Sequence, residues 1–205
     1  LTERLIQQDG VEFMLGPYST TMTKAVAPVT EKFKVPMVEA EGASRSLFTQ
    51  GYKYMFAVLS TSEYYLAPVL DIMADKAKAM GKNPSDLRIS MAFENDGFSL
   101  DVRAGVVDKA KEHGMKIVID DKLPADLSDM SATLTKTKAL KPDILLVSGH
   151  SKGAATAARQ IEEMKIDVPL IAYTHCEAAK VQEKFPKSAN GVMCPTQWLS
   201  NLPKR

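Results

Sequence analysis

Two short stretches of this chain carry residue types spaced for chemistry. The first is Gly16-Pro17-Tyr18-Ser19-Thr20-Thr21, which follows an apolar run at 11–15 and precedes a helix-forming segment at 22–33. A strand feeding a Gly-Pro turn and three hydroxyl residues at a helix start gathers backbone N–H groups, side-chain donors and the positive end of a helix dipole. That arrangement suits a small anion such as a carboxylate. No P-loop lysine follows, and neither GxxxxGK[ST] nor GxGxxG occurs, so a nucleotide is disfavoured. The plainer alternative is an ordinary helix cap after a strand.

The second stretch is Gly149-His150-Ser151-Lys152-Gly153, a match to the GxSxG nucleophile elbow between an expected strand and an expected helix. A serine hydrolase needs a histidine to take the serine proton, an acid to orient it and an oxyanion hole. Downstream of Ser151 the only histidine is His175, with Asp167 the only aspartate between them, and no HGGG-type loop lies upstream. Too little chain remains for the Ser, Asp, His order of an α/β-hydrolase, so Ser151 is expected not to be a nucleophile. His150, His175 and Cys176 also offer three zinc ligands at adjacent strand ends, but without a fourth or a motif spacing. Neither metal nor cofactor is expected.

The elements that position these residues follow one rhythm: a short apolar run, a polar turn, an amphipathic helix. Strands are expected at 11–15, 36–40, 54–58, 87–93, 116–120, 143–148, 169–173 and 191–194. Helices are expected at 21–33, 63–80, 100–113, 130–140, 153–164 and 177–185. Gly81, Gly114 and the Lys141-Pro142 pair punctuate helix ends. Such alternation gives an α/β fold with parallel sheets and helices on both faces. A short, Gly-containing connection at 41–53 separates three early strands from the regular units that follow, and Ser60-Thr61-Ser62 is placed as the cap of the long helix from Glu63. Two lobes are expected, residues 1–59 and 60–205, with a hinge near 59–62.

Composition bounds the class. The 205 residues, 45% hydrophobic, suffice for a sizeable core. Lys and Arg number 26 against 25 Asp and Glu, interspersed along the chain, so no basic stripe points to nucleic acid. Nothing approaches the ~18 continuous apolar residues of a membrane span. The N-terminus has neither an initiating methionine nor a signal-peptide pattern, and Leu1, Leu5 and Ile6 share a face of a helix already under way, which reads as an internal piece of a longer chain. The only cysteines, Cys176 and Cys194, are expected to be free: one follows a strand and the other lies within the next, offset along the sheet, whereas bridging needs Cα atoms within about 7 Å. An oxidising compartment would favour pairing.

Ligands of open parallel sheets bind beyond the carboxyl ends of strands. Those positions are 18–21, 41–44, 94–98, 149–152 and 174–177. His113 reads as a favourable charge at a helix end, Tyr64 and Tyr65 as packing residues, the scattered methionines as core, and Trp198 as either a stacking wall or a hinge plug.

The run GVEFMLGPYSTTMTKAVAPVTEKFKVPMVEAEGASRSLFTQGYKYMF resembles the first lobe of the type I periplasmic binding proteins that serve branched-chain amino-acid-type ABC transporters. FENDGFSLD, KPDILLVSGHSKGAATAARQIEEMKIDVPLIAY and SANGVMCPTQW repeat the rhythm of that family's second lobe. Compared with the family, the first strand-helix-strand of lobe one and the final return into it are missing. The resemblance implies a non-enzymatic, two-lobed Rossmann-like binding protein of the periplasm, or one lipid-anchored outside the cell, with a signal peptide elsewhere. It implies a monomer that takes a small carboxylated solute into an interlobe cleft and presents it to a membrane permease. It places the solute's carboxylate on Tyr18, Ser19, Thr20 and Thr21 and on the main chain of Glu41, Gly42 and Ala43. Phe98, His150 or Ser151, and Thr174 or His175 then meet the rest of the solute. Where amino-acid binders set an acid opposite the ammonium group, around residues 173–175, no carboxylate stands unless Glu177 or Glu41 supplies it. An aromatic carboxylate is therefore an alternative to a hydrophobic amino acid. A ligand-sensing receptor domain of the same fold is a further alternative.

Overall fold

A computed structural model describes residues 1–197. The chain forms two compact units, Leu1–Ser62 and a second that begins at Glu63.

The first unit runs α1 (Thr2–Gln7), β1 (Met14–Leu15), α2 (Thr20–Phe33), β2 (Met37–Glu39), α3 (Arg45–Phe48) and β3 (Met55–Ala57). Its three strands are parallel in the order β1-β2-β3. Thr20, Thr23, Ala27 and Thr30 form the buried stripe of α2 at helical spacing. In β2, Met37 and Glu39 are buried while Val38 between them is exposed. Register sets Leu15, Val38 and Phe56 side by side, all exposed, so among the described residues this unit's sheet is covered on one face only. β1 is shorter than the apolar run at 11–15: its bonds to the neighbouring strand begin at Met14 N, to Pro36 O, and run on to Gly16 N, to Val38 O.

The second unit runs α4 (Ala67–Ala79), β4 (Arg88–Glu94), α5 (Gly97–His113), β5 (Lys116–Leu123), α6 (Ser131–Leu140), β6 (Ile144–Ser148), α7 (Ser151–Glu163), β7 (Leu170–Tyr173), α8 (Ala179–Lys184) and α9 (Pro186–Ala189). The sheet is parallel, in the order β5-β4-β6-β7. Every residue of β6, and every residue of β4 after Arg88, is buried, the signature of a parallel sheet covered on both faces. Ser148 Oγ donates to Ser99 Oγ of α5, while Ser90 Oγ on the opposite face pairs with Thr137 Oγ1 of α6 at 2.8 Å. Ala92, Leu145 and Val147 pack with Leu134 of α6 and Ala154, Ala157 and Ile161 of α7. Asp96 caps α5 by accepting from Ser99 N at 2.8 Å, and Gly114 closes it in the left-handed conformation, φ 70°.

Three expectations need correction. The helix expected from Glu63 begins at Ala67, after a separate 3-10 turn at Ser62–Tyr64, with Pro68 in its first turn, where a missing N–H breaks no helical bond; Leu66, and not Ser60-Thr61-Ser62, stands at its N-cap. The strand expected at 191–194 is reduced to one bridge, Met193 opposite Ala172, with Gly191 at φ 82° before it and Pro195, which has no N–H, after it. Cys176 and Cys194 form a disulfide, their Cα atoms 5.5 Å apart. The turn after β7 reverses at His175, φ 60°, and brings Cys176 back beside Met193, cancelling the offset along the sheet that the strand positions implied.

Candidate functional site

In the first unit, the turn and the loop singled out from the sequence are neighbours. Ser19 occupies the N-cap of α2 without a side-chain bond, and Thr20 is buried, its Oγ1 accepting from Ser44 N at 3.2 Å. Tyr18, Thr21 and Glu41 are exposed, whereas Gly42 and Ala43 are buried. Between turn and loop sits the carboxylate of Glu39, fully buried at the end of β2. It accepts from Glu41 N at 2.6 Å, from Gly42 N, and from Thr23 Oγ1 at 2.8 Å. A Cβ at Gly16 would collide with that carboxylate, which explains the glycine. The free N–H groups of the loop after β2 are thus taken by the protein's own carboxylate, which also ties that loop to α2 through Thr23.

The second unit builds its site at the point where the strand order reverses. From β4 the chain passes to β5 on one side and returns to β6 on the other, so the loops after β4 and β6 diverge and leave a crevice. Phe93 pairs with Ser148, which sets Glu94 opposite Gly149. Phe98, on the first turn of α5, lies 5.5 Å from the His150 ring and 5.8 Å from the His175 ring, and the two imidazoles are 5.8 Å apart. Tyr65 packs edge-on against Phe98 at 5.3 Å. Phe98 and His150, expected at the mouth from their strand-end positions, are thus brought together.

Thr174 has a different task. It is buried, its Oγ1 donating to Gly149 O at 2.7 Å and accepting from Gly149 N at 3.0 Å. That pair of bonds staples the turn after β7 to the turn after β6. The next residue, His175, joins the rings, its Nδ1 2.9 Å from Gly149 O. A carbonyl only accepts, so Nδ1 carries the proton of that bond.

Two acids beside these rings went unrecognised as a pair in the sequence. His150 Nε2 lies 3.3 Å from Asp96 Oδ2. Glu94, 1% exposed, lies beneath the crevice, its Oε1 accepting from His150 N at 3.4 Å and its Oε2 buried without a hydrogen-bond partner. Burial, then the neighbouring Asp96, pushes the Glu94 carboxyl up to about 7. Burial also acts to raise Asp96, but His150 and the Ser99 N–H outweigh it and hold the group below its usual range. Asp96 in turn raises His150 against the opposing effect of burial. Protonation of Glu94 relieves the repulsion between the two acids and leaves the Asp96–His150 pair charged. The signal was available: Glu94 and Asp96 flank the end of a strand that shares the switch point with Gly149.

This geometry accounts for the GxSxG match without a nucleophile. A Cβ at Gly149 would sit 2.5 Å from Glu94 Oε1, and one at Gly153 would sit 2.6 Å from the same atom. Both glycines make room for a buried carboxyl. Ser151 is exposed at the first position of α7, and among the described residues its hydroxyl bonds to no histidine. The zinc set of His150, His175 and Cys176 also fails, because the Cys176 sulfur is committed to the disulfide. Asp71 and His113, 2.7 Å apart, tie α4 to α5 away from these rings. Trp198 lies outside the described residues.

A family model described as periplasmic binding protein matches residues 1–205. The chain is similar to Leu/Ile/Val-binding protein homolog 8 of Brucella abortus (strain 2308), 24% identical over 161 residues, which cover 78% of this chain and 40% of that protein. The chain therefore spans well under half the length of that curated relative. Its fold matches the crystal structure of a leucine-binding protein from Thermotoga maritima MSB8 (TM-score 0.81, 20% identity), covering 100% of this chain and 56% of the other. It also matches an ABC-transporter solute-binding protein from Rhodopseudomonas palustris BisB5 in complex with 3,4-dihydroxybenzoic acid (TM-score 0.72, 21% identity), covering 84% and 45%.

Proposed function

The chain belongs to the periplasmic binding protein family, and from that membership we propose that it is part of the solute-binding protein of an ABC transporter, taking a small carboxylated solute without covalent chemistry. The observation that carries this reading is the crevice at the β4/β6 switch point, where Phe98, His150 and His175 gather at the ends of three different elements. Rings and a few convergent polar groups at a switch point are the usual makings of a small-molecule site.

The solute's carboxylate is assigned to the first unit, to the turn of Tyr18, Ser19, Thr20 and Thr21 and the loop of Glu41, Gly42 and Ala43. Support comes from the bond that joins Thr20 to Ser44 and sets the turn beside the loop; the N–H groups of Glu41 and Gly42 are held by Glu39, so the turn residues carry the assignment. Phe98, His150 and His175 meet the remainder of the solute, with Thr174 fixing the turn that carries His175. Bound and free forms differ in conformation about residues 59–62, and a membrane permease reads the difference. Export to the periplasm or the outer face of the cell agrees with the Cys176–Cys194 disulfide. The protein acts as a monomer, without nucleic acid. Among the described residues no helix is long and apolar enough to cross a membrane. Leucine for one structural relative and a dihydroxybenzoate for another bracket the solute classes.

The test is a thermal-shift screen of the full-length protein against amino acids and aromatic acids, followed by calorimetry. A reversible rise in melting temperature with one carboxylate class is expected. A flat response across both classes would refute the reading.

A further inference from the structure

We propose that Glu94, Asp96 and His150 form a site for one divalent first-row transition-metal cation, zinc before the others, at the end of β4 in the second unit. The site stands whether or not a solute enters the crevice beside it.

Three clusters among the described residues bring metal-ligating atoms together, and two of them are already satisfied. Cys176, Glu177 and Cys194 lose both sulfurs to the disulfide. Asp71, Glu112 and His113 surround Lys109, whose Nζ lies 3.4 Å from Asp71 and 2.8 Å from Glu112, so that cluster has a cation built in. Glu94, Asp96 and His150 differ. One ligand atom from each lies within 4.8 Å of the other two, yet among the described residues no lysine or arginine pairs with either acid. Glu94 is 1% exposed and the Asp96 side chain 13%, so two neighbouring carboxyl groups out of water have one imidazole between them for positive charge. A divalent cation makes up the deficit.

Each carboxyl is oriented through one oxygen and leaves the other over. Glu94 Oε1 accepts from His150 N at 3.4 Å in the space that Gly149 and Gly153 leave for it, while Oε2 is buried with no hydrogen-bond partner. Asp96 Oδ1 accepts from Ser99 N at 2.8 Å, while Oδ2, also buried, makes no hydrogen bond and lies 3.3 Å from His150 Nε2. Hydrogen bonds of this kind are what aim metal-binding carboxylates. Zinc bonds of about 2.0 to 2.2 Å at a tetrahedral angle set neighbouring ligand atoms roughly 3.3 to 3.6 Å apart, so Asp96 and His150 already stand at the required spacing. Glu94 has to close by about 1 Å at most. An imidazole in the set favours zinc over magnesium or calcium, which take oxygen ligands. Of the three side chains His150 is the most exposed, at 29%, so the ion enters past its ring, and three protein groups leave a fourth position for a water.

The experiment is calorimetric titration of the full-length protein, free of any affinity tag and stripped with EDTA, with zinc chloride and, for comparison, magnesium chloride. Wild type is expected to take up one zinc ion per chain and to bind magnesium far more weakly. Asp96→Asn keeps the cap of α5 and loses the charge, and Glu94→Gln keeps the shape of the buried group; each is expected to weaken zinc about tenfold or more. Either variant decides the matter if the other fails to fold. X-ray absorption of the zinc-loaded protein is expected to show nitrogen and oxygen neighbours at about 2.0 to 2.2 Å and no sulfur at about 2.3 Å. No zinc uptake by stripped wild type, an unchanged affinity in the Glu94 and Asp96 variants, loss of zinc in Asp71→Asn instead, or a sulfur neighbour would each overturn the proposal. None of these results bears on the solute-binding reading, because no solute is present in the titration.

Discussion

Replacing Gly153 by alanine tests why the Gly-x-Ser-x-Gly pattern exists in this chain. Gly153 is the third residue of α7, so on helix propensity alone an alanine there stabilises by about 1 kcal/mol. The structure reverses that sign. The new methyl would lie 2.6 Å from Glu94 Oε1, 3.0 Å from Leu127 Cδ2 and 3.2 Å from Leu127 Cβ. Glu94 and Leu127 are both buried, at 1% and 0% exposure, so neither has a free direction in which to yield. Overpacking of this kind costs roughly 1 to 3 kcal/mol, which outweighs the propensity gain or at least cancels it. Urea unfolding of the full-length protein, read by circular dichroism, should give a net loss of up to about 2 kcal/mol with an unchanged slope. The companion double variant Glu94→Ala/Gly153→Ala should recover the loss relative to Glu94→Ala, because the methyl then fills the space of the missing carboxyl. A Gly153→Ala protein more stable than wild type by about 1 kcal/mol would show an ordinary helix glycine and refute the packing explanation.

The raised carboxyl of Glu94 at the base of the crevice makes a second prediction. With Glu94 raised to about 7 in the fold from an ordinary 4.5, its contribution to stability is fully present below 4.5 and lost as pH rises through about 7. The full span corresponds to roughly 3 kcal/mol. Glu94→Gln, which cannot titrate, should therefore flatten the pH dependence of unfolding between 4.5 and 7, and an identical slope in wild type and variant would contradict it. The disulfide is checked by mass spectrometry of non-reduced, alkylated protein: a mass lower by two hydrogens with neither Cys176 nor Cys194 alkylated is expected. Reduction should cost about 3 kcal/mol for a bridge spanning 18 residues, whereas two alkylated cysteines would remove the bridge from the account. A fluorophosphonate probe should leave the protein unlabelled, and stoichiometric labelling that disappears in Ser151→Ala would restore the hydrolase reading.

The alternation of strand and helix in the second unit was legible because each apolar run of a doubly covered sheet is continuous and each helix carries its own stop, as at Gly114 and Lys141. The nearness of Phe98 and His150 to each other was legible by position, since both follow strands at their carboxyl ends. What the sequence hid depends on tertiary contact. Nothing local marks Glu39 as the buried carboxylate that takes the N–H groups of Glu41 and Gly42, or Glu94 as the reason for two glycines more than fifty residues away. The roles of Thr174 and His175 are set by a left-handed turn at a histidine, a conformation that residue identity does not announce. The cysteine pairing was hidden by the same turn, because the distance between sulfurs depends on where the chain reverses rather than on strand spacing.

Hydrogen exchange of the full-length protein, with and without a saturating concentration of the tightest-binding acid found in the screen of amino acids and aromatic acids, tests the central claim most directly. Ligand contact at the switch point predicts added protection at residues 94–99, 149–153 and 174–177, together with the carboxylate segments at 16–23 and 41–44. Protection confined to other parts of the protein, with residues 94–99 and 149–153 exchanging at the same rate in both samples, would contradict the assignment of these rings to the solute.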